Sequence, residues 1–255
     1  MALIDLKLYS EVLKMGTEVN VIIPQKSTID STDQTQKTLS DAYPCLYLLH
    51  GLGGDYSSWI RRTSIERYAE KYSICVVMPS GLRSFYTDMK YGLPYYTYIS
   101  QELPALIRSF FKISTERKDT FIAGLSMGGY GALKIGLRNP SQYAIVAGLS
   151  SVCDMPSRAL GLDDESLLKP IFGEELIVSA EDNLFQIAKA HQNDAIKPKV
   201  FMGVGTEDML YEENVRFQAA LKENGYDITY KESAGTHSWE FWDEYIKYVL
   251  AWMFE

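Results

Sequence analysis

From residue 45 onward the chain alternates short apolar runs with stretches of helical periodicity, and few folds accommodate that rhythm. The runs are residues 45–49, 74–78, 121–124, 143–149 and 200–204, and the more polar residues 228–232 read as a further strand. The apolar runs are too short for helices and too continuously apolar for strands with one wet face, so they read as buried strands. Between them, residues 57–72, 103–111, 127–137, 211–221 and 239–253 read as helices. In 103–111, Leu103, Leu106, Ile107 and Phe110 fall on one helical face. Such alternation implies βαβ units and an α/β architecture: a mostly parallel central sheet with helices on both faces. The leading segments differ. Residues 4–13 alternate apolar and polar, residues 19–23 end at Pro24, and Met15-Gly16 lies between them, which predicts an antiparallel N-terminal hairpin at a sheet edge. Residues 25–41, rich in Ser, Thr, Asp and Gln, read as an exposed loop. Residues 152–194 break the rhythm with Gly161, Pro170 and Gly173. They predict a small lid-like insertion over the C-terminal strand ends, where ligands bind in such sheets. At 255 residues the whole chain, 1–255, fits one domain of this kind.

Charge and cysteine usage narrow the function. A formal net charge of -8 argues against a nucleic-acid partner, because phosphate binding needs clustered Lys and Arg. The first seven residues have no basic stretch followed by an apolar run, so no secretory signal is expected. Nothing approaches the roughly 20 apolar residues that span a bilayer, so no membrane partner is expected. The three cysteines, Cys45, Cys75 and Cys153, are odd in number and irregularly spaced. They read as buried free thiols in a reducing compartment, which predicts a cytoplasmic protein. No Cys/His cluster suggests a metal.

The segment Gly124-Leu125-Ser126-Met127-Gly128 fits G-x-S-x-G, with a predicted strand before it and a predicted helix after it. That context is the strand–turn–helix elbow that lifts a serine hydroxyl out of a sheet as a nucleophile. The small neighbours avoid a clash, and the helix N-terminus favours developing negative charge. His50-Gly51-Leu52-Gly53-Gly54 comes after an earlier strand. In this arrangement one oxyanion N–H comes from the residue after the nucleophile, Met127, and the other from that earlier loop. Leu52 is the expected donor there, with Gly51 and Gly53 shaping the turn against the substrate.

Three histidines allow elimination of the base. The chain order for this chemistry is Ser, then Asp or Glu, then His. His50 precedes Ser126 and is expected to hold its loop by hydrogen bonds. His191 lies in a polar helical run and reads as solvent-exposed. His237 lies between a predicted strand and the final helix, where a loop-borne base belongs. The acid must fall between Ser126 and His237, after a strand. Asp208 is the first choice, Glu207 the reserve, and Asp194 would have to reach in from the insertion.

These motifs resemble the esterase D and tributyrin esterase-like family of α/β-hydrolases. The likeness rests on His50-Gly51-Leu52-Gly53-Gly54 with Trp59 downstream, residues 124–132, Gly205-Thr206-Glu207-Asp208 and Gly235-Thr236-His237-Ser238-Trp239. It implies the α/β-hydrolase fold, a catalytic triad of Ser126, Asp208 and His237, oxyanion donors at Leu52 and Met127, and hydrolysis of short acyl esters with no cofactor. It favours Asp208 over Glu207. A thioesterase of the S-formylglutathione hydrolase kind, an acyltransferase, and a binding module without catalysis are the alternatives. The expected partner is a small-molecule ester, and self-association into a homo-oligomer stays open. Residues 85–98 form an aromatic cluster near the expected site; Tyr86 and Tyr91 are its candidate substrate-lining residues. Leu160, Leu162, Leu167, Leu168, Ile171 and Phe172 of the insertion are candidates for an apolar wall or for the core.

Overall fold

The computed structural model describes residues 1–25, 42–161 and 165–255 of the chain. The predicted exposed loop lies almost wholly outside the described residues, as does Leu162. In chain order the elements are β1 (Ala2–Ser10), β2 (Met15–Ile23), β3 (Cys45–Leu49), α1 (Ser58–Arg62), α2 (Ile65–Glu70), β4 (Cys75–Pro79), the single turn α3 (Tyr95–Thr97), α4 (Leu103–Phe110), β5 (Thr120–Leu125) and α5 (Met127–Arg138). Next come β6 (Ile145–Leu149), α6 (Met155–Gly161), α7 (Glu165–Phe172), α8 (Leu184–Ala190), β7 (Lys199–Gly205), α9 (Tyr211–Glu223), β8 (Ile228–Ser233) and α10 (Trp239–Trp252).

The eight strands form one sheet in the order β1-β2-β4-β3-β5-β6-β7-β8. Strands β3 to β8 run parallel; at one edge β2 pairs antiparallel to β4, and β1 antiparallel to β2. This is the α/β-hydrolase architecture. Alternate side chains of each buried strand enter opposite cores. Tyr47 and Leu49 join a core roofed by α4, α5, α8 and α9, whereas Leu46 and Leu48 join a second core under α1, α2 and α10. The chain leaves β3 toward β4 on one side and leaves β5 toward β6 on the other. The connections therefore diverge between β3 and β5, and a crevice opens at their C-terminal ends. Both glycine-bearing loops singled out in the sequence lie there.

Three features differ from the sequence reading. The hairpin turn is residues 11–14, with Met15 and Gly16 already inside β2. Lys14 takes the left-handed conformation, φ 56°, and the Glu102 carboxylate accepts the Ser10 hydroxyl and the N–H of Glu11 at 2.7 Å. A partner that distant leaves no local signal. The predicted helix 57–72 is two short helices. Thr63 Oγ1 donates back to the Trp59 carbonyl at 2.6 Å and accepts the Ile65 N–H at 3.2 Å, which breaks the helix and starts the next.

The third difference is the stretch 152–194. Its described residues pack into the α5–α9 core, where Leu168, Ile171, Phe172, Leu184 and Ile187 are buried and Leu167 half-buried. The fully buried Lys134 of α5 ties it down, reaching Asp182 at 3.0 Å as well as Thr87. The N–H groups of Lys90 and Tyr91 donate to the carbonyls of Ile171 and Pro170, both at 2.9 Å. The apolar residues thus face the core and bind this stretch to α5 and the aromatic loop.

Candidate active site

At the end of β5 the chain turns sharply into α5. Ser126 stands at that turn with φ 54° and ψ −119°, a conformation that costs a non-glycine residue energy and clusters at functional sites. Its N–H donates to the Leu149 carbonyl at 2.9 Å, and its carbonyl accepts the Tyr130 N–H at 3.0 Å, so the backbone is clamped on both sides. A Cβ on Gly128 would lie 2.4 Å from the Leu49 carbonyl oxygen, so the first turn of α5 packs directly on the end of β3. Met127, fully buried, begins α5, and its N–H has no carbonyl inside the helix to accept it.

On the facing loop, the Gly54 N–H closes a turn onto the Gly51 carbonyl at 3.0 Å. That turn puts Leu52, 41% exposed, at its tip. The loop is held from behind. His50 Nδ1 lies 2.8 Å from the Gly51 carbonyl, and His50 Nε2 lies 2.8 Å from the Gly81 nitrogen. A carbonyl and an N–H as partners require Nδ1 to carry the proton and Nε2 to accept. Burial pushes the His50 pKa down, so the neutral ring this pattern needs is favoured. The Tyr86 hydroxyl donates to the His50 carbonyl at 2.9 Å, and the Trp59 indole donates to the Leu49 carbonyl at 3.0 Å.

Asp208 and His237 arrive from the ends of β7 and β8. These loops meet at Gly205 and Gly235: a Cβ on Gly205 would lie 2.1 Å from the Gly235 carbonyl oxygen. Two backbone bonds join them, Thr206 N–H to the Ser233 carbonyl at 2.9 Å and Glu207 N–H to the Gly235 carbonyl at 3.0 Å. His237 Nδ1 lies 3.0 and 3.1 Å from the two Asp208 carboxylate oxygens, and Nε2 lies 3.0 Å from Ser126 Oγ. With a carboxylate on Nδ1, that nitrogen holds the proton and Nε2 is free to accept from the serine. Trp242 sets its ring edge-on to His237, centroids 4.9 Å apart.

Burial alone would raise the Asp208 carboxyl pKa. Hydrogen bonds from His237 and from the Leu210 N–H at 2.8 Å outweigh that and bring it below the ordinary carboxylate value. Glu207 is occupied elsewhere, accepting the Gly235 N–H at 2.5 Å. His191 pairs with Asp194 at 2.7 Å, away from this group.

A cavity of about 550 Å³ opens over Ser126 and His237, walled by Leu52, Arg61, Trp239 and Trp242 among others. Gly51 and Gly53 line it. The two candidate tyrosines do not. Tyr86 is fully buried behind the loop, packed where Gly81 and Gly131 leave room for its ring. Tyr91 is 62% exposed and lines a separate groove with Ile177 and Phe172. None of the described residues of 152–194 lines the cavity over Ser126. Sequence reasoning missed Trp242, which lies against His237 in the cavity wall and carries no motif. It also missed the supporting role of Tyr86, because an aromatic residue in a loop gives the same signal whether it faces a ligand or a backbone. Among the described residues no group of three or more His, Cys, Asp or Glu is placed to hold a metal ion, and no helix is long and apolar enough to cross a membrane.

Residues 10–253 match the model of the family described as "Putative esterase". The chain belongs to that esterase family. The esterase is 34% identical to an acetyl esterase of Caldicellulosiruptor saccharolyticus, over 99% of this chain and 98% of the relative. Among solved structures it is similar to FphF, a fluorophosphonate-binding serine hydrolase of Staphylococcus aureus solved with substrate bound, at 32% identity and a TM-score of 0.88, covering 99% and 98% of the two chains. It is similar also to the S-formylglutathione hydrolase FrmB of Staphylococcus aureus, at 32% identity and a TM-score of 0.85 over the same shares. The esterase is therefore a serine hydrolase acting on carboxylic esters.

Proposed function

We propose that this esterase hydrolyses short-chain acyl esters, acetyl esters foremost, through an acyl-enzyme on Ser126. The observation that carries the reading is the unbroken chain of contacts from Ser126 Oγ through both ring nitrogens of His237 to the Asp208 carboxylate. His237 Nε2 takes the hydroxyl proton as Oγ attacks the acyl carbon. Asp208 keeps the Nδ1 proton in place and stabilises the imidazolium without accepting that proton. The carbonyl oxygen becomes an oxyanion, received by the N–H groups of Met127 and Leu52; such donors are worth roughly 10²–10³ in rate each. Collapse of the tetrahedral intermediate breaks the ester C–O bond, and the imidazolium protonates the departing alkoxide. Water then enters, gives a proton to His237, and its oxygen attacks the acyl carbon. The second tetrahedral intermediate releases the carboxylic acid and returns the proton to Ser126 Oγ.

The acyl preference is supported by the acetyl esterase relative and by the cavity, whose volume falls in the range of roughly 300–1,000 Å³ usual for small-molecule sites. The partner is a small-molecule ester. A cytoplasmic setting is supported by the three free, buried cysteines. A second reading, a thioesterase, is favoured by the likeness to FrmB; the acyl-enzyme is the same and only the leaving group changes.

The test is hydrolysis of p-nitrophenyl esters from acetate to long acyl chains, with S-formylglutathione alongside and Ser126→Ala in parallel. The expected result is highest kcat/KM on acetate and a fall of roughly 10⁴–10⁶-fold in kcat for the variant. A kcat/KM on S-formylglutathione far above that on acetate would replace the ester reading by the thioester one. Wild-type turnover in Ser126→Ala would overturn both.

A further inference from the structure

The outer strands of the sheet, β1 and β8, differ in what they can pair with. β1 runs nine residues in unbroken register with β2, with no bulge and no proline. Among the described residues, none forms a backbone hydrogen bond to its outer side. Edges are usually blunted by short strands, bulges, proline or lone lysines. β1 carries one lysine, and its charge is answered two residues away: Lys7 Nζ lies 3.6 Å from the Asp5 carboxylate, with both side chains exposed. Alternation divides the strand cleanly. Leu3, Asp5, Lys7 and Tyr9 are exposed on one face, and Ile4, Leu6 and Leu8 lie half-buried against the core on the other.

That order is self-complementary about Leu6. When two copies of one edge strand pair antiparallel, the two-fold axis stands perpendicular to the sheet, so every side chain keeps its face and only residues on the same face stand opposite. With the axis at Leu6, Asp5 faces Lys7 of the second copy, and Lys7 faces its Asp5. With the contact inside each strand, the four charges alternate in sign around a square. Leu3, 46% exposed, faces Tyr9, 57% exposed, so apolar surface is covered at both ends. Moving the axis to Asp5 or to Lys7 sets like charges directly opposite, which is unfavourable. β8 has no such register: Lys231 and Glu232 are consecutive, point to opposite faces, and cannot meet across any antiparallel pair. We propose that β1 is the docking surface for a second copy of this chain, the two strands pairing antiparallel about Leu6 to join both sheets into one. The inference goes beyond the ester reading. No residue of β1 lines the cavity over Ser126, so each copy keeps its own site.

The experiment is sedimentation velocity of the full chain over roughly 1–100 μM, the range in which a dimer of modest affinity dissociates. The wild type is expected to move from the 28.9 kDa of one chain toward twice that mass. Asp5→Lys places a lysine opposite Lys7, and Lys7→Asp an aspartate opposite Asp5, twice in each dimer. Each substitution should raise the dimer Kd roughly 10- to 100-fold. Asp5→Lys combined with Lys7→Asp restores opposite charges at every position and should return the wild-type Kd. An equimolar mixture of the two single variants should do the same, because only the mixed pair sets lysine against aspartate throughout. A variant that failed through misfolding would gain nothing from mixing, a guard needed most for Lys7→Asp, since Lys7 also faces Glu18 on β2. Circular dichroism and turnover of p-nitrophenyl acetate are expected to match wild type in every variant. A wild type that stays monomeric at the highest concentration would overturn the proposal. So would a dimer that Asp5→Lys leaves intact, or single variants that neither the double substitution nor mixing rescues.

Discussion

Ser126 and Ser150 end adjacent parallel strands, share a left-handed backbone, and stand at equivalent places in register, yet one faces a cavity and the other is sealed. The difference lies in the path of the chain beyond each serine. After Ser126 the chain enters α5 at once, so the hydroxyl sits beside a helix N-terminus with unpaired N–H groups and open space in front. After Ser150 it bends through Ser151 and Val152, where Asn214 accepts the Ser151 N–H at 3.3 Å, and α10 lays Trp242 across the hydroxyl. A strained serine at a strand end thus faces a cavity and a histidine where the chain beyond it turns away. Where the chain folds over it, the same backbone yields a buried acceptor for an indole N–H.

The glycines two residues before each serine sharpen this. Gly124 and Gly148 are register partners. A Cβ on Gly124 would lie 2.2 Å from the Gly128 carbonyl oxygen, a backbone atom of the elbow itself. On Gly148 it would meet Ser151 Oγ at 2.3 Å and Leu133 Cδ1 at 3.0 Å, both side-chain atoms that can move. Gly124→Ala is expected to cost about 3 kcal/mol or more and to abolish activity, and Gly148→Ala about 1 kcal/mol. Urea unfolding of both variants checks this; equal losses would mean that the two strand ends are held alike.

A smaller effect separates the loops facing them. Ser126 looks across to the loop anchored by His50. Because burial lowers the native pKa of His50, its contribution to stability is fully present above the unfolded value of about 6.5. It is lost as pH falls through the lowered native value, since an imidazolium cannot accept the Gly81 N–H. His50→Gln is expected to be about 1–2 kcal/mol less stable at pH 7.5, with the deficit shrinking toward pH 5. Thermal or urea midpoints across that range measure it, and a constant deficit would remove His50 as the titrating anchor.

Much of this was legible in the amino-acid sequence alone. The strand–helix alternation specified the sheet and its two cores, because period and length of apolar runs are local properties. Gly124 to Gly128, Asp208 and His237 were legible because a nucleophile elbow and its chain order leave few candidates, and the structure brings Ser126, Asp208 and His237 together. What was not legible depends on distant partners. Glu102 completes the hairpin turn, Trp242 lies 92 residues from Ser150, and Tyr86, a candidate to line the substrate site, packs behind the loop instead. The apolar residues of 152–194 could serve a wall or a core equally well in sequence, and only their burial in one cluster with residues of α5 and α9 assigns Leu168, Ile171 and Phe172 to the core.

The mechanism turns on Ser126 being the residue that becomes acylated. Its most direct measurement is mass spectrometry of the esterase after reaction with a fluorophosphonate probe, which traps an activated serine. The expected result is a single adduct on the peptide carrying Ser126, absent in Ser126→Ala. An adduct on any other residue, or undiminished labelling of Ser126→Ala, would contradict it.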